Sequence, residues 1–155
     1  MVLLKRPATA ADWNDARRLV EAYAASLDLD LSFQNFTDEI EHLSTEYGPP
    51  AGAFLMAEAN GRRVGCVGLR AFSGTTGEIK RLYVEPSARG LGAGRALAHG
   101  VVALGRELGY TRLVLDTLPS MREAQALYLS LGFEPIAPYR FNPVPGTAFL
   151  ELQLR

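Results

Sequence analysis

Apolar residues in this chain recur with two different periods, and the switches between them mark its elements. Val2-Leu3-Leu4, followed by Lys5-Arg6, reads as a short opening strand. Trp13, Ala16, Val20, Tyr23 and Leu27 then recur at three-to-four spacing, which predicts an amphipathic helix. Thr9, with Asp12 three residues on, predicts a capping box at its start. Phe33, Phe36, Ile40 and Leu43 repeat the spacing and predict a second helix, stopped by Gly48-Pro49-Pro50. Residues 52–59 and 62–71 are strand-like, and Asn60-Gly61 between them is the strongest short hairpin signal. A turn over residues 73–77 leads to a strand over 78–84, ended by Glu85-Pro86.

A glycine-rich stretch, Arg89-Gly90-Leu91-Gly92-Ala93-Gly94, opens the next helix. That helix carries Leu97, Val101, Leu104 and Leu108 on one face and stops at Gly109. Leu113-Val114-Leu115 is a short, wholly apolar strand. Ser120 and Glu123 predict another capping box, and the helix bearing Met121, Ala124, Leu127, Tyr128 and Leu131 ends at Gly132. Two strands near residues 135–139 and 148–154 flank a Pro143-Val144-Pro145-Gly146 loop. Hairpins followed by helical crossovers imply an α/β fold with a mixed sheet and helices on both faces.

Composition narrows the function. At 155 residues the expectation is a single domain over 1–155. A chain of this size buries about two thirds of its unfolded surface, so no metal or disulfide staple is required. The net charge of −1 lacks the basic excess of a nucleic-acid binder. Cys66 is the only cysteine, which excludes an intramolecular disulfide or a multi-cysteine zinc site; a strand cysteine is expected as a small buried hydrophobe. His42 and His99 have no second ligand at metal spacing, so no metal is expected. No apolar run approaches the ~20 residues of a membrane span, and the opening run is too short for a signal peptide. The expectation is a cytoplasmic domain with no membrane partner. Arg supplies 14 of the 16 basic residues, which with the many Ala and Gly fits a GC-rich bacterial genome.

The glycine-rich turn carries the chemistry. A strand runs into three glycines within five residues and then into a helix. Glycines let a ligand approach the backbone, and free amides at a helix start favour phosphate. Arg89 can add a charge-assisted contact. A P-loop is excluded, because no Gly-Lys-Ser/Thr string is present. A dinucleotide fingerprint fails too: counted from Gly90 its sixth position is Arg95, and counted from Gly92 it is Leu97.

Arg89-x-x-Gly92-x-Gly94 instead resembles the Q/R-x-x-G-x-G/A motif of the GNAT N-acetyltransferases. Glu78-Ile79-Lys80-Arg81-Leu82-Tyr83-Val84-Glu85-Pro86 resembles that family's fourth strand, and Ala124-x-x-Leu127-Tyr128-x-x-x-Gly132-Phe133 its last helix. The resemblance implies an acyl-CoA N-acyltransferase fold, a mostly antiparallel sheet of about seven strands with about four helices. It implies acetyl-CoA as cosubstrate. The backbone at Gly90, Leu91, Gly92, Ala93, Gly94 and Arg95 would hold the pyrophosphate beside Arg89. The splayed strand at Leu82, Tyr83 and Val84 would hold the pantetheine arm and the developing oxyanion. Members often carry Asn seven residues before the tyrosine; this chain has Met121 there, and Ser120 is the candidate substitute.

Transfer of an acetyl group to an amine needs a neutral amine, donors for the oxyanion and a proton for the departing thiolate. The resemblance assigns the proton donor to Tyr128, which also falls on the apolar stripe of its helix. Glu78 occupies the strand position where some members carry a glutamate base; the bland alternative is a solvated carboxylate. Asp116 ends a buried strand where sheet ligands bind, and helix capping is its alternative. The family's acceptor site implicates residues 27–36, with Phe33, then Tyr47 and residues 139–142, with Tyr139 and Arg140. Arg140 would pair with a carboxylate on the acceptor, or be a solvated loop cation. A small-molecule amine is the expected acceptor. A protein or peptide acceptor, a non-catalytic acyl-CoA sensor and a ligand-free dimerisation module are the rivals. The resemblance also points to a homodimer.

Overall fold

The computed structural model describes residues 1–27 and 35–154. Among them β1 (Val2–Lys5) leads into α1 (Ala10–Ser26), then two short helices, α2 (Phe36–Glu41) and α3 (Leu43–Glu46). Strands β2 (Ala53–Ala59), β3 (Arg62–Ser73) and β4 (Thr76–Val84) follow, then α4 (Ala93–Glu107), β5 (Arg112–Thr117), α5 (Arg122–Ser130), β6 (Glu134–Pro135) and β7 (Ala148–Gln153). The seven strands form one sheet in the order β1-β2-β3-β4-β5-β7-β6. Every neighbouring pair is antiparallel except β4 and β5, which α4 joins as a parallel crossover.

Local chemistry explains most boundaries. Asn60 and Gly61 both adopt positive φ, the pair of left-handed residues that a tight hairpin requires. The capping box at α1 forms as expected, Thr9 Oγ1 accepting from the Asp12 amide and Asp12 Oδ2 from the Thr9 amide. The expected second helix is broken at His42. Its ring Nδ1 lies 3.0 Å from the Asp38 carbonyl that its backbone N–H would take in a continuous helix. That N–H bonds to the Glu39 carbonyl instead.

Three sequence expectations are corrected. Ser120 caps nothing: Met121 is the N-cap of α5, with no side-chain cap. A turn closed by the Met121 amide on the Leu118 carbonyl shifts the helix start by one residue. The strand expected near residues 135–139 shrinks to Glu134–Pro135, with one more bond from the Ile136 amide to Phe149. Pro135 and Pro138 have no N–H to offer a ladder. β4 begins at Thr76, earlier than expected, because the hairpin turn is shorter.

Helices cover both faces of the sheet. Ile79, Leu97, Val101, Leu113, Leu115 and Tyr128 belong to the core beneath α4 and α5. Leu19, Val20, Ile40, Tyr47, Phe54, Met56 and Cys66 form the core beneath α1 to α3. Side chains therefore alternate along β2, Phe54 and Met56 facing α1 while Ala53, Leu55 and Ala57 face α4. Cys66 is fully buried as expected, its Sγ 3.3 Å from the Arg81 carbonyl, and burial pushes its thiol far up.

The start of α1 ties the first helix to the β2–β3 hairpin. Asp12 accepts from the Ala8 and Thr9 amides and pairs with Arg63 at 3.0 Å. The Ala8 amide, the Arg63 guanidinium and the Thr9 amide lower its carboxyl to about 2. A depressed carboxyl stabilises the fold fully above its unfolded value and loses that contribution as pH falls through the folded one. Asp12→Asn is therefore expected to lower the melting temperature at pH 7, and the gap to wild type to close between about pH 4 and about pH 2. Thermal melts across that range check it.

Candidate active site

The site is built around an irregularity in β4. Cys66 pairs with Tyr83 and Gly68 with Lys80, so three steps along β4 answer two along β3. The extra residue makes a bulge, and Arg81 within it has φ +64°. A non-glycine residue in this left-handed region costs about 1–3 kcal/mol. The side chain is anchored to match. Nε and Nη2 of Arg81 each bond a carboxylate oxygen of Glu39 at 2.9 Å. The guanidinium lies 5.8 Å from the Tyr23 ring centre and 5.3 Å from that of Phe36. Tyr47 donates its hydroxyl to Glu39 at 2.9 Å, and its ring lies against Gly68, where a Cβ would meet it at 2.6 Å. Burial raises the Glu39 carboxyl, but the hydrogen bonds and charge of Arg81, with the Tyr47 hydrogen bond, outweigh it and hold Glu39 below its ordinary value.

This bulge opens the sheet. β4 pairs with β5 only from Thr76 to Glu78, against Arg112 to Val114. β5 is held straight by β7 along all six residues, while the bulge bends β4 away. The resulting cleft is lined by Ile79, Lys80, Arg81 and Leu82 of β4 and by Leu115, Asp116 and Thr117 of β5. Tyr23 and Leu27 of α1, Met121, Ala124 and Tyr128 near α5, and Asn142 complete it. Among the described residues, no strand pairs with the β5-facing edge of β4 at Leu82–Val84.

Tyr128 packs in the core and also reaches the cleft. It is 3% exposed and packs edge-on against Phe133 at 5.2 Å, yet it also lines the cleft. Its hydroxyl has no hydrogen-bond partner among the described residues, and burial pushes its proton affinity well up, so the phenol stays neutral. Beside α5 lies the glycine-rich turn. Gly90 and Gly92 have φ +89° and +85°, which accounts for glycine at both. A Cβ on Gly94 would reach only ordinary contact with Val84 and Leu127, so packing alone does not demand glycine there. No described carbonyl or side chain accepts from the amides of residues 91–95, and α4 has no side-chain cap. Arg89, exposed, bends back to bond the Val84 carbonyl at 3.2 Å.

The carboxylate expected as base is sealed. Glu78 is 0% exposed. Tyr139 donates to it at 2.7 Å, Arg140 at 2.9 Å and Arg70 at 3.2 Å. Arg70 also holds Glu46. Arg140 is half-buried and directs Nη2 onto Glu78. Tyr139 packs edge-on with Phe72 and Phe149, and burial and the Glu78 charge push its hydroxyl far up. Tyr47, expected at the acceptor site, is 1% exposed and supports Glu39. Leu82 lines the cleft, with Tyr83 and Val84 half-buried beside it. Ser120 is exposed in the turn before α5, and Phe33 lies outside the described residues.

The sequence reading missed Lys80, Glu39 and Asn142 as individual residues and left Asp116 undecided. Burial, with the nearby Arg81 charge, lowers Lys80 to about 8. Asp116 is half-buried in the cleft, and Asn142 donates to it at 3.3 Å. Only the placement of Asp116 at the carboxyl end of β5 offered a signal. No cluster able to hold a metal occurs among the described residues, and no described helix is long and apolar enough to cross a membrane.

Known proteins share this architecture. The chain belongs to the acetyltransferase (GNAT) family, whose model matches residues 13–133. It is 39% identical over 145 residues to an uncharacterized N-acetyltransferase of Schizosaccharomyces pombe, covering 92% of this chain and 89% of that one. It is 35% identical over 103 residues to an IAA acetyltransferase of Azospirillum brasilense, covering 65% and 67%. A GNAT acetyltransferase structure from Staphylococcus aureus superposes with a TM-score of 0.81 at 20% identity over both whole chains. The chain is thus an acyltransferase by class, and the mixed, mostly antiparallel sheet expected from the sequence is the one observed. The relatives include a eukaryotic protein, so they lend no support to the bacterial origin expected from composition.

Glu39→Gln removes the charge that anchors Arg81. Breaking a buried pair of this kind is expected to cost about 3 kcal/mol. Urea unfolding at pH 7 measures it, and a loss below about 1 kcal/mol would show that the bulge does not depend on the pair.

Proposed function

We propose that this acetyltransferase moves an acetyl group from acetyl-CoA to the primary amine of a small molecule, by direct attack within a ternary complex. One observation carries the reading: the cleft passes between β4 and β5, with Tyr128 on the α5 side and Asp116 and Lys80 on the α1 side. Donor and acceptor can enter from opposite faces and meet between the strands. The free edge of β4 at Leu82, Tyr83 and Val84 suits a pantetheine arm, which would bond it as an added strand does. The amides of residues 91–95 and the exposed Arg89 suit a pyrophosphate. These residues fit acetyl-CoA without a metal. Tyr128, neutral and unpartnered, is the proton donor to the departing thiolate. Glu78 is a positioning residue in this reading, since three donors already occupy its oxygens. The relative named IAA acetyltransferase supports a small acceptor.

Acetyl-CoA or CoA at ~100 times Kd is expected to stabilise the fold by about 2.7 kcal/mol in thermal melts, while NADH leaves it unmoved. No shift with either CoA species would remove the reading. Tyr128→Phe is expected to lower kcat about 10²-fold in thiol-release assays and leave the acetyl-CoA shift intact. An undiminished kcat would take Tyr128 out of the mechanism.

A further inference from the structure

Among the described residues one fully covered side-chain polar atom has no hydrogen-bond partner, and it is Thr117 Oγ1. Thr117 is the last residue of β5, is 5% exposed and lines the cleft between β4 and β5. Its backbone is paired with Ala148 of β7, but its hydroxyl bonds nothing in the fold. Taking a hydroxyl out of water without a partner is unfavourable, so buried hydroxyls are nearly always paired. An unpaired one at the wall of a cleft points to a partner that the chain itself does not supply.

The strand sets which face the hydroxyl serves. Leu113 and Leu115 pack into the core beneath α4 and α5, and Thr117 lies two residues beyond Leu115, on the same side of the sheet. Tyr128 belongs to that core and reaches the same cleft. The remaining lining on this side, Leu115, Met121 and Ala124, has no stronger polar atom than the Met121 sulfur, a weak acceptor. Gln125 is occupied, its Nε2 donating to the Leu118 carbonyl at 2.7 Å, and Ser120 is exposed. The position along the sheet is equally specific. Glu78 and Val114 are the last paired residues of β4 and β5, and Thr117 is three residues on, level with the bulge at Arg81. It therefore stands where the strands part, opposite the start of the β4 edge at Leu82–Val84.

We propose that Thr117 is a positioning residue for the donor, its hydroxyl paired with the pantetheine amide nearest the thioester, a contact that rests on the transfer reading above. An arm laid along β4 carries planar trans amides, whose C=O and N–H point in opposite directions. The group that bonds the β4 edge leaves the other turned toward β5, where Thr117 stands. A hydroxyl both donates and accepts, so it serves whichever group faces it. Without it, that group would enter an apolar wall unpaired. The arm parts the walls that cover Oγ1, and amide and hydroxyl satisfy each other. Tyr128 then serves the sulfur and Thr117 the next polar group along the arm, and together they set how deep the thioester enters the slot.

The test compares the full wild-type chain with Thr117→Val, which keeps the shape and loses the hydroxyl, and Thr117→Ser, which keeps the hydroxyl. Thermal melts without ligand, calorimetric titration with CoA and thiol release from acetyl-CoA are read together. Thr117→Val is expected to melt at or above the wild-type temperature, since it removes an unpaired buried hydroxyl. Its Kd for CoA is expected to rise about tenfold, the loss of one hydrogen bond that leaves its partner buried. Its KM for acetyl-CoA is expected to rise in step, with kcat within about threefold of wild type, and Thr117→Ser is expected to restore the affinity. A crystal structure with CoA is expected to place Thr117 Oγ1 within about 3.2 Å of that amide. A Kd for Thr117→Val within twofold of wild type overturns the proposal and leaves acetyl transfer standing. So does an equal loss in Thr117→Ser, or a loss accompanied by a lower melting temperature without ligand, because either assigns Thr117 a packing role. Failure of wild type to bind CoA or acetyl-CoA removes the transfer reading, and the proposal falls with it.

Discussion

Arg81 sits at φ +64° in the middle of β4, and its bidentate pair with Glu39 holds it there. A strand left to itself would avoid that backbone conformation. The bulge persists because the side chain at its apex is captured by a helix on one face of the sheet, between two aromatic rings and above a carboxylate that Tyr47 also holds. From this the rest follows. The bend separates β4 from β5 after three paired residues, while β7 keeps β5 straight. A sheet that would otherwise be closed becomes a sheet with a slot through it. The glycine-rich turn and α4 begin a few residues beyond the same bend.

The slot presents different side chains on the two faces of the sheet. On the α5 side burial raises the proton affinity of the Tyr128 phenol and keeps it neutral. On the α1 side two carboxylates of similar intrinsic strength stand in different surroundings. Glu78 is consumed by Arg70, Tyr139 and Arg140, and it ties β3, β4 and the segment before β7 together. Asp116 is half-buried, lines the cleft and accepts from Asn142. Environment, rather than residue type, sets how accessible each carboxylate is.

Features encoded within a few residues were legible in the sequence. Asn60-Gly61 requires two left-handed residues, and the Thr9–Asp12 box needs only one turn of helix. The turn at Gly90 and Gly92, the placement of Tyr128 on its helix and the strand-helix order that gave the sheet are of the same kind. What joins distant segments was not legible. Glu39 and Arg81 are separated by 42 residues, and Glu78 and Arg140 by 62. Spacing says nothing about such pairs, so the contact between Glu78 and Arg140 was not foreseen. The Ser120 box failed for a local reason of a different kind: a turn at Leu118 competed for the helix start and displaced it by one residue.

The central claim is that acetyl-CoA completes the sheet along the free edge of β4 and seats its phosphates on the start of α4. Amide hydrogen exchange with and without acetyl-CoA tests it directly. The account predicts new protection in residues 82–84 and 91–95, with little change in β1, β2 and β7, whose amides are already paired or remote. Protection confined to other segments, or none along β4, would contradict it.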